Sequence, residues 1–91
     1  MTLVGRTALS LASQDRHTAT VAVLLEHNAD VNKVDMFGRS PLMSASNCGQ
    51  KSVVGLLLPR NDIDTTLRDN RYDEDCLDMA MTDEIKQLII N

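Results

Sequence analysis

Gly38-Arg-Ser-Pro-Leu-Met-Ser-Ala45, near the centre of this 91-residue chain, decides how the chain folds. Ser40 is a good helix N-cap and Pro41 suits the first position of a helix, so the sequence predicts a helix over about 41–48. The residues just before it, Asp35-Met-Phe-Gly38, carry Asp at the first and Gly at the fourth place of a type I turn. A turn followed by a short capped helix is therefore the local structure to expect.

A second helix is predicted directly after the first. Val54, Leu57 and Leu58 recur at i, i+3 and i+4 within about 51–58, and Pro59 ends the pattern. Helices this short are marginal alone, because isolated helices need roughly 12–15 residues. They must gain stability by packing against neighbouring helices.

The chain repeats itself with a period of 33 residues. When Gly5–Asn28 is aligned with Gly38–Asn61, nine of 24 positions are identical. The identical pairs are Gly5/Gly38, Arg6/Arg39, Leu9/Leu42, Ala12/Ala45, Ser13/Ser46, Val21/Val54, Leu24/Leu57, Leu25/Leu58 and Asn28/Asn61. Leu77, Ala80, Ile85, Leu88 and Ile89 continue the apolar pattern as a compressed third copy. We therefore divide a single domain, 1–91, into repeat 1 (about 2–34), repeat 2 (about 35–67) and a degenerate capping repeat 3 (about 68–91).

The pattern G-x-[TS]-x-L-x-x-A…V-x-x-L-L-x-x-N closely resembles the ankyrin repeat. The resemblance covers almost the whole chain. It implies an all-α solenoid of stacked helix-turn-helix pairs joined by hairpin loops. It also implies a non-catalytic module that binds a partner protein through hairpin tips and inner helices.

Two departures from the family pattern carry expectations of their own. Asp73 stands where the third turn should have Gly, which predicts an irregular third tip. Met1 falls inside the first hairpin with no polar capping unit before it, so self-association through the N-terminal repeat is a further possibility.

Composition excludes several classes of protein. Thirteen acidic against nine basic residues give a formal charge of −4, which argues against nucleic-acid binding. No segment has the ~20 apolar residues of a membrane span, and no signal peptide is visible. Two cysteines, Cys48 and Cys76, without metal-site spacing suggest free thiols in a reducing compartment, so we expect a cytoplasmic or nuclear protein.

No catalytic constellation is evident. His17 falls in a turn between paired helices and His27 near the exposed end of a helix. A structural position accounts for each histidine without a catalytic role. The acidic stretch 62–78 matches a calcium loop poorly, since its sixth place is Leu67 and its twelfth is Asp73. We therefore expect that the protein is not an enzyme and that it binds neither a cofactor nor a metal ion.

The candidate binding face combines aromatic, apolar and basic side chains at the tips. Phe37, Met36 and Tyr72 would act as anchors, and Arg6, Arg39 and Arg71 as a ladder that steers an acidic segment of the partner. Residues at the ends of the inner helices complete the face: Gln14, Asp15, Asn47 and Cys48.

Alternatives stay open for these assignments. Phe37 could fold back on its own hairpin, and the arginines could pair with nearby aspartates. Asn32 resembles the inter-repeat asparagine that a hydroxylase modifies in this family, but it could also simply hydrogen-bond the hairpin. The competing function is a structural one, a capping or self-associating segment of a larger array with no foreign partner at the tips.

Overall fold

The computed structural model describes residues 8–90, which form short helices joined by turns and loops with no strand. The helices are α1 (Ala8–Gln14), α2 (Thr18–Glu26), α3 (Pro41–Asn47), α4 (Lys51–Leu57), α5 (Cys76–Met79) and α6 (Asp83–Ile90). The predicted helices over 41–48 and 51–58 are confirmed, each one residue shorter than expected. The all-α prediction is confirmed as well.

The helices form three pairs that stack in two layers. In the first layer α3 packs between α1 and α5, and in the second layer α4 packs between α2 and α6. The repeat limits proposed from the sequence fall in the connections between these pairs.

Local capping explains where the first helices of the second and third pairs, α3 and α5, begin. The Ser40 hydroxyl accepts a hydrogen bond from the Met43 N–H at 3.2 Å, with Pro41 at the first helical position. Asp75 accepts from the Asp78 N–H at 2.9 Å, and the Asp78 carboxylate accepts from the Asp75 N–H at 3.2 Å. These bonds satisfy N–H groups that the helices themselves leave open.

The core lies between the two layers and is built from aliphatic side chains without an aromatic ring. The central pair supplies most of its fully buried side chains, among them Leu42, Met43, Val53, Val54 and Leu57. Because α3 has helices on both sides, six of its seven residues are buried. The short helices therefore derive their stability from stacking.

The predicted type I turn before α3 is present. The Gly38 N–H donates to the Asp35 carbonyl at 3.0 Å, and the Asp35 N–H donates to the Arg39 carbonyl at 3.0 Å. The Asp35 carboxylate also accepts from the N–H groups of Phe37 and Arg39. Gly38 adopts φ +76°, a left-handed conformation that Gly reaches without steric cost.

The third tip is irregular in length, as the sequence predicts, because it holds one residue more than the second tip, but it keeps the same hydrogen bonds. Asp69 repeats the role of Asp35: its N–H donates to the Glu74 carbonyl, and its carboxylate accepts from the N–H groups of Tyr72 and Glu74. Asp73 takes the left-handed position with φ 55°. Aspartate tolerates this region because its short side chain can bond locally, and one extra residue in the loop accommodates the change.

Gly55 gives a first prediction about stability. It lies inside α4, and a Cβ placed there would meet nothing within 4 Å. We expect Gly55→Ala to raise the free energy of unfolding by about 0.5–1 kcal/mol, because alanine loses less backbone entropy in a helix. Urea unfolding followed by circular dichroism checks this. A lower urea midpoint for Gly55→Ala would mean that another group packs on Gly55 and leaves no space for the methyl group.

Candidate protein-binding surface

The tips of the second and third repeats are joined to each other. The Asn70 N–H donates to the Phe37 carbonyl at 2.8 Å, and the Asn70 side-chain amide donates to the Met36 carbonyl at 3.2 Å. A Cβ on Gly38 would come within 2.7 Å of the Asn70 amide oxygen, so only glycine lets the two tips approach this closely. The tips thus form one continuous surface.

Apolar side chains project from this surface into solvent. Met36 is 61% exposed, Phe37 41% and Tyr72 60%. Single exposed apolar residues are common on proteins, but here they come from neighbouring tips that hydrogen bonds hold in register. The structure therefore brings together the side chains that the sequence predicts as anchors. We call Met36, Phe37 and Tyr72 the tip patch.

Arg39 is engaged within the chain. Its Nε lies 3.7 Å from Oδ2 of Asp69, whose side chain is fully buried. The pKa of Asp69 is lowered, although burial by itself would raise it. The hydrogen bond from the Glu74 N–H has the largest effect, and the Tyr72 N–H and the Arg39 guanidinium add to it. Arg39 thus neutralises a buried carboxylate of the next repeat, the alternative that the sequence had left open.

The predicted arginine ladder does not continue into the third repeat. In the second tip the backbone of Arg39 bonds to Asp35, and in the third tip the backbone of Glu74 bonds to Asp69 in the same way. Glu74, and not Arg71, is therefore the third-repeat equivalent of Arg39. The Arg71 guanidinium lies 5.2 Å from the centre of the Tyr72 ring. Arg6 lies outside the described residues 8–90. Arg71 lies only two residues after Asp69, whereas Arg39 lies four residues after Asp35, so the two arginines are not at equivalent places.

The inner-helix ends supply the remaining candidates. Asp15 and Asn47 are exposed, whereas Gln14 and Cys48 are half-buried. The Gln14 carbonyl accepts from the side-chain amide of Gln50 at 2.9 Å, which ties the first pair to the second. Of these four residues, Asp15 and Asn47 are the more accessible.

Met81 belongs to the same face and was missed by sequence reasoning. It is 67% exposed, its N–H donates to the Ser46 carbonyl at 3.0 Å, and its sulfur lies close to Gly49. The alignment contained the signal, because Met81 stands where the earlier copies have Ser13 and Ser46. A large apolar side chain thus replaces a small hydroxyl beside the Asn47 end of α3.

Asn32 bridges two successive connections. Its side-chain N–H donates to the Asp62 carbonyl at 2.6 Å, and its side-chain oxygen accepts from the Asp64 N–H at 2.8 Å. This is the hydrogen-bonding role that the sequence left open for it. Both bonds hold the amide in place, and hydroxylation of Asn32 stays a prediction.

Removal of this bridge gives a second prediction about stability. We expect Asn32→Ala to lower the free energy of unfolding by about 1–2 kcal/mol, since two partly exposed hydrogen bonds between repeats are lost. Thermal unfolding checks it, with Asn47→Ala at an exposed helix end as the matched control. Equal losses in both variants would show that the bridge contributes nothing specific.

The Cys76 thiol is a buried potential nucleophile in the described part of the chain. Burial, together with the neighbouring Asp75 carboxylate, raises the pKa of the Cys76 thiol to about 11, so this sulfur stays protonated at neutral pH. Within residues 8–90 no cluster of His, Cys, Asp and Glu is arranged to hold a metal ion. The longest helix in that range has nine residues, and none could cross a bilayer.

Comparison with known proteins agrees with this geometry. The family model "Ankyrin repeats (3 copies)" matches residues 1–69. Human ankyrin repeat domain-containing protein 63 is 41% identical over 54 residues, which are 59% of this chain and 14% of the human protein. The yeast ankyrin repeat-containing protein YIL001W, from Saccharomyces cerevisiae, is 38% identical over 68 residues, 75% of this chain and 13% of that protein. The chain therefore spans about one seventh or less of the length of these relatives.

A solved structure gives the same result for the fold. The ankyrin repeat domain of Bcl-3, described as a unique member of the IkappaB protein family, superimposes with a TM-score of 0.89 at 28% identity. The match covers 96% of this chain and 37% of the Bcl-3 chain. Ankyrin repeats are in general non-catalytic modules of protein–protein interaction. With helix pairs, turns and family model in agreement, this chain belongs to the ankyrin repeat family.

Proposed function

We propose that this chain is a non-catalytic module that binds a partner protein through its hairpin tips and the adjoining ends of its inner helices. The tip patch is the observation that supports the proposal most. Its side chains are exposed although the backbone beneath them is tied by hydrogen bonds between repeats. A surface that is already ordered loses little conformational entropy when it binds, which favours affinity.

The arginines contribute less to this proposal than the sequence suggested. Attraction of an acidic segment requires several available guanidinium groups, but Arg39 faces Asp69, and of the two described arginines of the predicted ladder only Arg71 is exposed. We therefore base the proposal on the apolar anchors. The two free cysteines support a cytoplasmic or nuclear setting for the interaction.

A pull-down from cell lysate tests the proposal with two matched variants. Met36→Ser/Tyr72→Ala removes exposed apolar side chains at the tips, and Val23→Ser removes one on α2, where Val23 is 51% exposed. We expect the tip variant to retain partners at least about tenfold less than wild type, because a few anchors carry most interface energy. Circular dichroism verifies that both variants fold. Equal capture by the tip variant and wild type would place the binding face elsewhere.

A structural role is the second candidate, in which the chain acts as a stacking or self-associating segment of a larger array. This role is favoured by the lengths of the matched proteins, because the chain covers only a small share of each relative and of Bcl-3. Sedimentation velocity over a concentration series is the test. Association of the isolated chain that Val23→Ser weakens, while the tip variant leaves it unchanged, would favour this role.

A further inference from the structure

We propose that the partner segment held at the tip patch is basic, with Lys or Arg side chains beside an apolar one. This inference rests on the proposed function and reverses the charge that the sequence pattern suggested for the partner. It starts from the charges that the tips leave unneutralised.

Two basic side chains near the tips, Arg39 and Arg68, are engaged within the chain. Only 24% of the Arg39 side chain is exposed, and its guanidinium faces the buried Asp69 carboxylate. Arg68 donates from Nη1 to the Asp73 carbonyl at 2.7 Å and lies 4.0 Å from the Asp78 carboxylate. An incoming carboxylate would have to compete with these contacts, which lowers the gain from binding one.

Carboxylates beside the tip patch are, in contrast, available. Asp73 is exposed and Glu74 half-buried, and neither side chain has an ionic or hydrogen-bonding partner among residues 8–90. Both follow Tyr72 directly in the chain. A cationic side chain that approached the Tyr72 ring would therefore meet carboxylates within one or two residues.

The wider charge distribution has the same sign. Residues 61–91 carry nine acidic and three basic side chains, a net charge of −6, whereas residues 1–60 carry a net charge of +2. At physiological ionic strength charges act over about 8 Å, so the field at Tyr72 comes mainly from its neighbours in the chain, Arg71, Asp73 and Glu74, whose net charge is −1. Such a field attracts basic segments and repels acidic ones.

The aromatic ring of the tip patch is also suited to a cation. Arg71 lies over the Tyr72 ring at 5.2 Å, which shows that this ring accepts a guanidinium on its face. The contact is within one exposed loop and is therefore weak enough to be exchanged. Met36 and Phe37 on the neighbouring tip offer apolar contact to an uncharged side chain of the same segment.

Selection from a random peptide library on the purified wild-type chain tests the inference, with counter-selection on Met36→Ser/Tyr72→Ala. We expect the peptides enriched on wild type to carry net positive charge beside an apolar residue. Asp73→Asn/Glu74→Gln should bind those peptides about three- to tenfold more weakly at low salt, with the difference reduced at high salt. Asparagine at position 73 tolerates the left-handed backbone, so this variant keeps the turn.

The outcomes separate this inference from the proposed function. Enrichment of acidic or uncharged peptides that depends on the tips would overturn the basic partner and leave the binding role intact. Unchanged affinity of Asp73→Asn/Glu74→Gln would also overturn it. Failure to enrich any peptide that depends on the tips would overturn the proposed function, and the inference with it.

Discussion

Gly38→Ala is expected to lower the free energy of unfolding by about 2–3 kcal/mol. Gly38 has φ +76°, where an L-residue pays for the contact of its Cβ with the backbone. The added carbon would also lie 2.7 Å from the Asn70 amide oxygen and 3.0 Å from the Asn70 backbone nitrogen. The Asn70 side chain could rotate away from the new carbon, but the Asn70 backbone nitrogen is fixed by its hydrogen bond to the Phe37 carbonyl. The substitution therefore separates the two tips.

Urea unfolding measures this effect, and Gly55→Ala is the matched control. The same chemical change should destabilise the protein at the tip and stabilise it in α4, where nothing surrounds the new carbon. Asn70→Ala in the Gly38→Ala background should restore only part of the loss, since it removes the side-chain clash but not the backbone one. An unchanged midpoint for Gly38→Ala would show that the tips are not held together.

Asp69→Ala is expected to lower the free energy of unfolding by about 2–4 kcal/mol, because it leaves two partly buried N–H groups without an acceptor and the Arg39 guanidinium without its counter-charge. The Asp69 side chain is fully buried, and its carboxylate accepts from Tyr72 at 3.1 Å and Glu74 at 3.0 Å. Asp69→Asn should cost less, since an amide oxygen can still accept both bonds. Asp15→Ala, at an exposed turn, is the control and should change stability little. Equal stability of Asp69→Ala and wild type would refute the role assigned to this carboxylate.

The same residue gives a dependence on pH whose sign follows from its pKa. The pKa of Asp69 is lowered in the folded state, so its ionised form stabilises the fold. This contribution is fully present above the unfolded value of about 3.9 and is lost as pH falls through the lower folded value. The stability difference between wild type and Asp69→Asn should thus be constant near neutral pH and shrink below about pH 4. A difference that persists unchanged in acid would argue against the ionised carboxylate as its cause.

Much of the fold could be predicted because its signals are local or periodic. Ser40 and Pro41 specify the start of a helix through the hydrogen bonds and dihedral angles of a few residues. The 33-residue period then requires that each helix pair pack on its neighbour. The third tip was predicted only in part: its inserted residue makes it irregular, but Asp73 takes the left-handed conformation expected of glycine and the hydrogen bonds of the turn are kept.

The candidate surface was predicted in part. Exposed aromatic residues at turns have no core to enter, so the tip patch could be located by position along the repeat. Met81 was missed because its exposure depends on how α5 packs against α3, and the compressed third copy obscured its place. The pairing of Arg39 with an aspartate was one of two alternatives that the sequence left open, and only stacking decides it, since Arg39 and Asp69 lie 30 positions apart.

The sequence by itself determined the helix pairs, their period and the ankyrin family, because caps, turns and apolar spacing act over a few residues and recur in phase. Only the tertiary structure decided which charges remain available at the tips. The distances between side chains of successive repeats depend on loop register and stacking. Coulomb and hydrogen-bond energies depend on those distances, so Arg39 is neutralised by Asp69 while Asp73 and Glu74 remain available to a partner.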